Sequence, residues 1–312
     1  MTRRILGLLA RAFVVLSGTA FATFTLLWYA PGDPAHAIAM ARFDAIVSTD
    51  IVDIVRAEAG LDVDFWPAFI NWLTPLLQGD FGYSSVTGRA IWPDLLSAIS
   101  YTAPLALVGL VIGLMLAIPL AIFATRYPES WLDRTAVAIA SLGVAIPAYW
   151  LGLLLILLFS VKLAWLPAIG ARTASHMILP ALTLGCGVAA ALMRIIRSGI
   201  LEAKCQPFIP ALQRRSISQS RIARSHVALH AAIPVITVFG LELAFLLEGT
   251  VIVEVIFGRP GVGRFLVKAI EARDFPKVQA VVVLTALLFV TINLLIDIIY
   301  KLIEPRIGDN NA

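Results

Sequence analysis

Apolar runs of membrane-spanning length alternate with polar segments along almost the whole chain. Six runs stand out, over about residues 12–30, 101–125, 135–161, 177–197, 233–257 and 280–303. A helix rises about 1.5 Å per residue, so a hydrocarbon core of about 30 Å needs about 20 such residues. The pattern predicts an all-α integral membrane protein with six transmembrane helices, residues 1–312 forming a single membrane domain. The first run follows Arg3, Arg4 and Arg11. Its length of about 18 residues exceeds the usual apolar region of a signal peptide, so it reads as a span. Ala35-His36-Ala37 resembles a cleavage site, which leaves a removed leader as the lesser alternative.

The polar segments set the orientation. Residues 31–100 are acidic: Asp33, Asp44, Asp50, Asp53, Glu58, Asp62, Asp64, Asp80 and Asp94 outnumber Arg42, Arg56 and Arg89. Such a segment belongs outside, because Lys and Arg are what hold a loop in. Within it, Phe65–Leu77 is aromatic and apolar, too short to span, and suited to the membrane interface. Gly79–Ser84 is rich in turn residues and reads either as a cap on the outer mouth of a pathway or as a solvated loop. Residues 198–232 are the reverse, with Lys204, Arg214, Arg215, Arg221 and Arg224 against the single acid Glu202. That loop belongs inside, and six spans then place both termini inside as well. Arg194 and Arg197 read as an interfacial anchor beside it. The last outer loop, 258–279, carries Arg259, Arg264, Lys268, Arg273 and Lys277, against the rule. The first span and the basic loop still favour this orientation.

Within the basic loop, Phe208, Ile209 and Leu212 recur at helix spacing, and Ile222–Ala232 continues as a second helical run. A short amphipathic helix held off the membrane is a docking element for a partner protein; the plainer reading is a charged loop that only sets topology.

Composition agrees with a membrane protein: 60% of residues are hydrophobic and 14% charged, against roughly 25% charged in soluble domains. A net charge of +4 carried in loops beside spans gives no reason to expect nucleic acid. Two cysteines, Cys186 and Cys205, are too few for a disulfide framework and are expected to be free.

The chemistry starts from what is missing. No phosphate-binding G-x-x-x-x-G-K-[ST] occurs. Gly258–Gly263 is glycine-rich, but it lacks the Lys-Ser/Thr ending and Pro260 removes an N–H. The chain is therefore expected to bind no ATP or other cofactor itself. His226 and His230 stand at i, i+4 without a Glu between them or further ligands, so no metal site is expected. No nucleophile–base constellation appears, which favours a transporter over an enzyme.

Ionisable groups at membrane depth are costly and mark a pathway or a partner. Glu242, Glu248 and Glu254 lie in the fifth run at spacings of six, which fan them around the helix. Counted from Ile233, Glu242 falls roughly 14 Å in and Glu254 roughly 32 Å in. Glu254 is thus read as an interfacial group, with Glu242 and Glu248 as pathway candidates. Pro147 is expected to kink the third span, either beside a substrate route or as a tolerated bend. Asn293 and Asp297 form one polar face of the sixth, read first as helix–helix glue. On these residues alone, a proton-coupled secondary transporter using Glu242 and Glu248 stays open beside a subunit of a larger importer.

A set of short motifs settles on a family. They are Pro31-Gly32-Asp33-Pro34, Gly79-Asp80-Phe81-Gly82-Tyr83-Ser84, Ile146–Gly152, Leu166-Pro167-Ala168, Leu179–Leu184, Glu254–Gly263, Arg273-Asp274-Phe275-Pro276, and Asn293–Asp297 with Pro305-Arg306. Their order and spacing resemble the permease subunit of ABC importers of the oligopeptide, dipeptide and nickel type. The resemblance implies half of a translocation pore in a bacterial inner membrane, importing peptides or small metal chelates. It implies a second homologous permease, two ATPase subunits carrying ATP and Mg, and a periplasmic substrate-binding protein as partners. It also implies a coupling helix that docks on an ATPase, here Phe208, Ile209, Ala211, Leu212, Gln213, Arg214, Arg215 and Ser216. Outer-gate candidates are Glu254, Pro260, Gly261, Arg273 and Asp274. The segment departs from the family pattern at Pro210, at Ser216, where Gly is usual, and at His230. Pro210 suits a first helical turn, and Ser216 is strained if that position needs φ > 0.

Overall fold

The computed structural model describes residues 2–43 and 47–303. Asp44 and the tail from Glu304, with the Pro305-Arg306 motif, lie outside the described residues. The described residues are almost wholly helical, with no strand and one isolated bridge between Tyr83 and Ala90.

In chain order the helices begin with α1 (Thr2–Trp28), α2 (Pro34–Phe43), α3 (Thr49–Glu58) and α4 (Phe65–Leu77). There follow α5 (Ile91–Ala124), α6 (Trp131–Ala145) and α7 (Ala148–Leu155), the last running into a π-helical stretch, Ile156–Lys162. Next come α8 (Ser175–Lys204), α9 (Phe208–Arg214) and α10 (Gln219–Ile222). A second π-helical stretch (Ala223–Val227) leads into α11 (Ala228–Ile256), then α12 (Val262–Glu271) and α13 (Phe275–Ile303).

Among the described residues, four helical segments are long and apolar enough to cross a membrane: Ala10–Trp28, Ile91–Ala124, Ser175–Lys204 and Phe275–Ile298. Two bent pairs raise the number to as many as six. One is Gln219–Ile236 with Val238–Ile256, bent by 43°. The other corrects the third run: it is broken at Pro147, not kinked, and Ala148–Lys162 leaves α6 at 100°. The cause is local. Pro147 restricts its predecessor, and Ile146 is extended (φ −79°, ψ 120°), so α6 ends at Ala145 and Pro147 becomes the N-cap of α7.

The chain divides into two compact units. The first comprises Met1–Tyr101 and Pro260–Thr291. Within the acidic segment, α2 and α3 close a small core of Ala35, Ile38, Ala39, Val52 and Val55 that the charge pattern did not reveal. The aromatic helix α4 buries none of its residues and lies along α1. The Phe24 ring meets those of Phe65, Phe69 and Trp72 at 5.2–5.5 Å. The start of α5 (Ile91, Leu95) packs on Ala280, Val281 and Leu284 of α13.

The second unit comprises Thr102–Arg259 and Ile292–Ala312, organised around α8. Alanines of α5 and α6 (Ala117, Ala121, Ala124, Ala136, Ala140) cluster with Leu192 and Met193 of α8. Glycines bring α5 and α8 into close approach. A Cβ at Gly185 would lie 2.6 Å from Ile112 Cγ2, and one at Gly113 2.6 Å from Val188 Cγ1. Small residues serve this purpose in membranes, where lipid tails compete with any apolar contact and close van der Waals packing decides association.

Candidate functional site

The basic segment forms the helix the periodicity predicts, α9, over Phe208–Arg214. Pro210 sits in its first turn, where no intrahelical N–H is lost. Past the end of the helix, Ser216 takes φ +57°, a left-handed conformation that favours Gly. Its two faces differ. Ile209 is buried in a cluster with Ala203, Ile222 and Val227, joined by the half-buried Phe208, Leu212 and Ile217. Pro210, Ala211, Gln213, Arg214, Arg215 and Ser216 are exposed. Of the residues expected to dock on a partner, Ile209 therefore belongs to the scaffold. The two histidines also have a local role: the His230 and His226 rings lie 4.8 and 6.3 Å from that of Phe208.

The end of α8 holds this segment on one side and the turn between α5 and α6 on the other. Ile200 and Ala203 face the α9 cluster. Arg197 donates from Nε and Nη2 to the two carboxylate oxygens of Asp133, each at 2.6 Å. Asp133 is 2% exposed, and it also accepts from the Glu129 N–H at 2.9 Å. Seven residues on, the Lys204 Nζ donates to the Thr125 carbonyl at 2.7 Å, at the end of α5. Arg197 is thus a pairing residue, a role that its reading as an interfacial anchor did not include. Sequence reasoning missed the pair, because Asp133 lies 64 residues away on another helix.

The three acids of α11 part company. Glu242 is half-buried and Glu248 exposed. Both flank the exposed stripe of Phe245, Ile252 and Val255. Glu254, read as interfacial, is fully buried, and it accepts from Thr102 Oγ1 at 2.5 Å. Its turn is well tied down. The Arg259 N–H donates to the Glu254 carbonyl at 2.8 Å, and Arg259 Nη1 reaches the His176 carbonyl at 3.3 Å. The Gly170 N–H donates to the Phe257 carbonyl, and Gly152 leaves room for the Phe257 ring, which a Cβ would meet at 3.2 Å. Motifs far apart in the chain, around residues 152, 170 and 254–259, thus converge in the second unit. On α13, Asn293 lies against Gly240 of α11, as expected of helix–helix glue.

The first unit gathers the other motifs. Arg273 (φ +50°) donates to the Pro31 carbonyl at 2.9 Å, and its guanidinium fills the space above Gly32. Asp274, 1% exposed, accepts from Ser84 Oγ at 2.5 Å and from the Ser85 N–H at 3.1 Å, and pairs with Lys277 at 3.2 Å. Asp33 pairs with Arg56 at 2.7 Å. Pro260 is exposed, and Gly261 is buried at the N-cap of α12.

Known proteins share this chain's sequence and fold. Residues 109–309 match the binding-protein-dependent transport system inner membrane component. The chain is 36% identical over 305 residues to the glutathione transport system permease protein GsiC of Escherichia coli strain K12, covering 98% of this chain and 97% of that protein. The Shigella dysenteriae serotype 1 protein of the same name matches equally. Among solved structures, an amino acid ABC transporter crystallised with histidines aligns at TM-score 0.54 and 17% identity, over 67% of this chain and 94% of that one. The inward-facing MetNI methionine ABC transporter aligns at 0.56 and 19%, over 67% and 96%. At such identities the structural matches speak for the fold alone.

Proposed function

The chain belongs to the family of binding-protein-dependent transport system inner membrane components, the permease subunits of ABC importers, and on that premise we propose that it carries short peptides. The observation that carries this reading is the full-length likeness to a permease for glutathione, a tripeptide. The chain forms half of a pore in the bacterial inner membrane, with a second homologous permease, two ATPases that bind ATP and Mg, and a substrate-binding protein. Both termini and α9 lie on the cytoplasmic side. The exposed row of Ala211, Gln213, Arg214, Arg215 and Ser216 docks on an ATPase, while Phe208, Ile209 and Leu212 anchor α9 to α8 and α11. Movement of the docked helix switches the pore between its two facings. Glu242 and Glu248 line the pathway or the contact with the second permease. Glu254, Pro260, Gly261, Arg273 and Asp274 hold the outer loops that meet the binding protein. The relatives named above are permeases for glutathione, which favours a peptide over a metal chelate as cargo.

The test is uptake in a strain lacking the gene. Labelled peptide uptake that depends on ATP and on this gene is the expected result. R214E/R215E is expected to abolish uptake while leaving the protein in the membrane. Uptake that needs the gene yet survives ATP depletion would overturn the importer reading in favour of a proton-coupled transporter. Loss of nickel uptake alone would replace the peptide with a metal chelate.

A further inference from the structure

α8 carries four strongly charged residues near its end, and only two are used. Arg197 and Lys204 are engaged as described. The side chains of Arg194 and Glu202 are exposed and have no ion-pair or hydrogen-bond partner among the described residues. Both line one cavity of about 490 Å³ in the second unit, with Ser198 between them and Val144 of α6 and Pro234 of α11 as its apolar walls. Gly199 sets how close the walls stand, since a Cβ there would lie 3.1 Å from the Ala231 carbonyl oxygen.

Residues 194, 198 and 202 follow at i, i+4 and i+8, so they form one face of the helix. Eight residues place the two charges about 12 Å apart along the axis. Two opposite charges thus stand at opposite ends of one space, each without a side-chain partner among the described residues. An extended chain rises about 3.3–3.6 Å per residue, so three residues span about 10–11 Å. We propose that this cavity is a binding subsite for a short zwitterionic peptide, its carboxylate on Arg194, its ammonium on Glu202 and its backbone beside Ser198. Arg suits the carboxylate through two parallel N–H donors, and the apolar walls accept varied side chains, so the site reads the two chain ends and not the sequence. The proposal rests on the peptide-importer reading and adds a place within the permease that recognises the cargo after the binding protein has released it.

Cysteine protection in inverted membrane vesicles holding the assembled transporter tests it without the binding protein. In a C186A/C205S background, S198C places a thiol in the cavity, and its rate of modification by a charged thiosulfonate is followed. Tri-alanine is expected to slow the reaction, and N-acetyl-tri-alanine amide is expected not to. R194Q or E202Q is expected to raise the half-protecting concentration about tenfold or more, the size of one charge-assisted hydrogen bond, with R194K and E202D intermediate. Absence of protection, or equal protection by the capped peptide, overturns the subsite. If S198C prevents co-purification with the ATPases, equilibrium dialysis of tritiated tri-alanine and of the capped peptide against the unaltered complex decides by the same criterion. ATP-driven tri-alanine uptake by the intact transporter is measured in parallel. Protection without uptake keeps the subsite and rejects the peptide-importer reading; uptake without protection does the reverse.

Discussion

Arg197 and Asp133 meet through two parallel hydrogen bonds of 2.6 Å, with the carboxylate 2% and the guanidinium 25% exposed. The pair joins the first turn of α6 to the end of α8, and α8 in turn carries the α9 cluster. Removing one partner of a buried pair typically costs about 3–5 kcal/mol, and the exposure of Arg197 puts D133A or R197A at the lower end. Thermal unfolding of the purified protein measures it. Because much of that cost is the charge left behind, D133L/R197M is expected to unfold at a higher temperature than either single variant. Singles that melt like the unaltered protein would sink the argument.

Ser216 occupies φ +57° where a residue with a side chain is strained by about 1–2 kcal/mol. S216G is expected to stabilise the α9 segment by about 1 kcal/mol and to slow proteolysis between α9 and α10. S216V, with a branched side chain at the same φ, is expected to do the opposite. Equal cleavage of all three proteins would show that the turn stores no strain.

Asp274 serves three partners at once: Ser84, Ser85 and Lys277. D274A leaves their polar groups unmatched, each worth about 1–3 kcal/mol where buried. The expected result is faster protease cleavage around Ser84–Arg89, with helix content by circular dichroism nearly unchanged. Gly32 offers an independent handle on the same unit. At φ +100°, with a Cβ 2.5 Å from Arg273 Nη1, G32V is expected to dislodge Arg273 and open the same region.

The close approach of α5 and α8 predicts a contrast between neighbouring glycines. G185L is expected to lower the amount of folded protein recovered from membranes, because Ile112 and the Gly109 carbonyl leave no room. Gly187 has nothing within 4 Å, and G187A is expected to be neutral or to stabilise by up to about 1 kcal/mol through helix propensity. Fluorescence-detected gel filtration of tagged variants reports both.

Much of the candidate site was legible in advance for identifiable reasons. The resemblance implied Gly at the position of Ser216 and so raised the condition of a positive φ, which the backbone meets at +57°. The break at Pro147 was anticipated, but as a kink, because the extended state forced on Ile146 depends on whether neighbours re-satisfy the freed backbone groups. The helices α2 and α3 inside the acidic segment went unread because its charge was used only to place it outside, and each is ten residues long. Glu254 was placed at the surface by counting residues along α11, and counting cannot see that Thr102 reaches it from another helix.

Hydropathy, charge bias and motif order were determined by the chain alone: helical class, membrane residence and family follow from runs of about 20 apolar residues and from local residue types, which need no packing to be read. Partners across the fold were decided only by tertiary structure. Asp133 with Arg197, Asp274 with Ser84, and Arg194 with Glu202 around one cavity all depend on helix rotation and approach. Those are set by glycines and alanines meeting side chains from distant segments, and the spacing of residues along one helix holds no record of them.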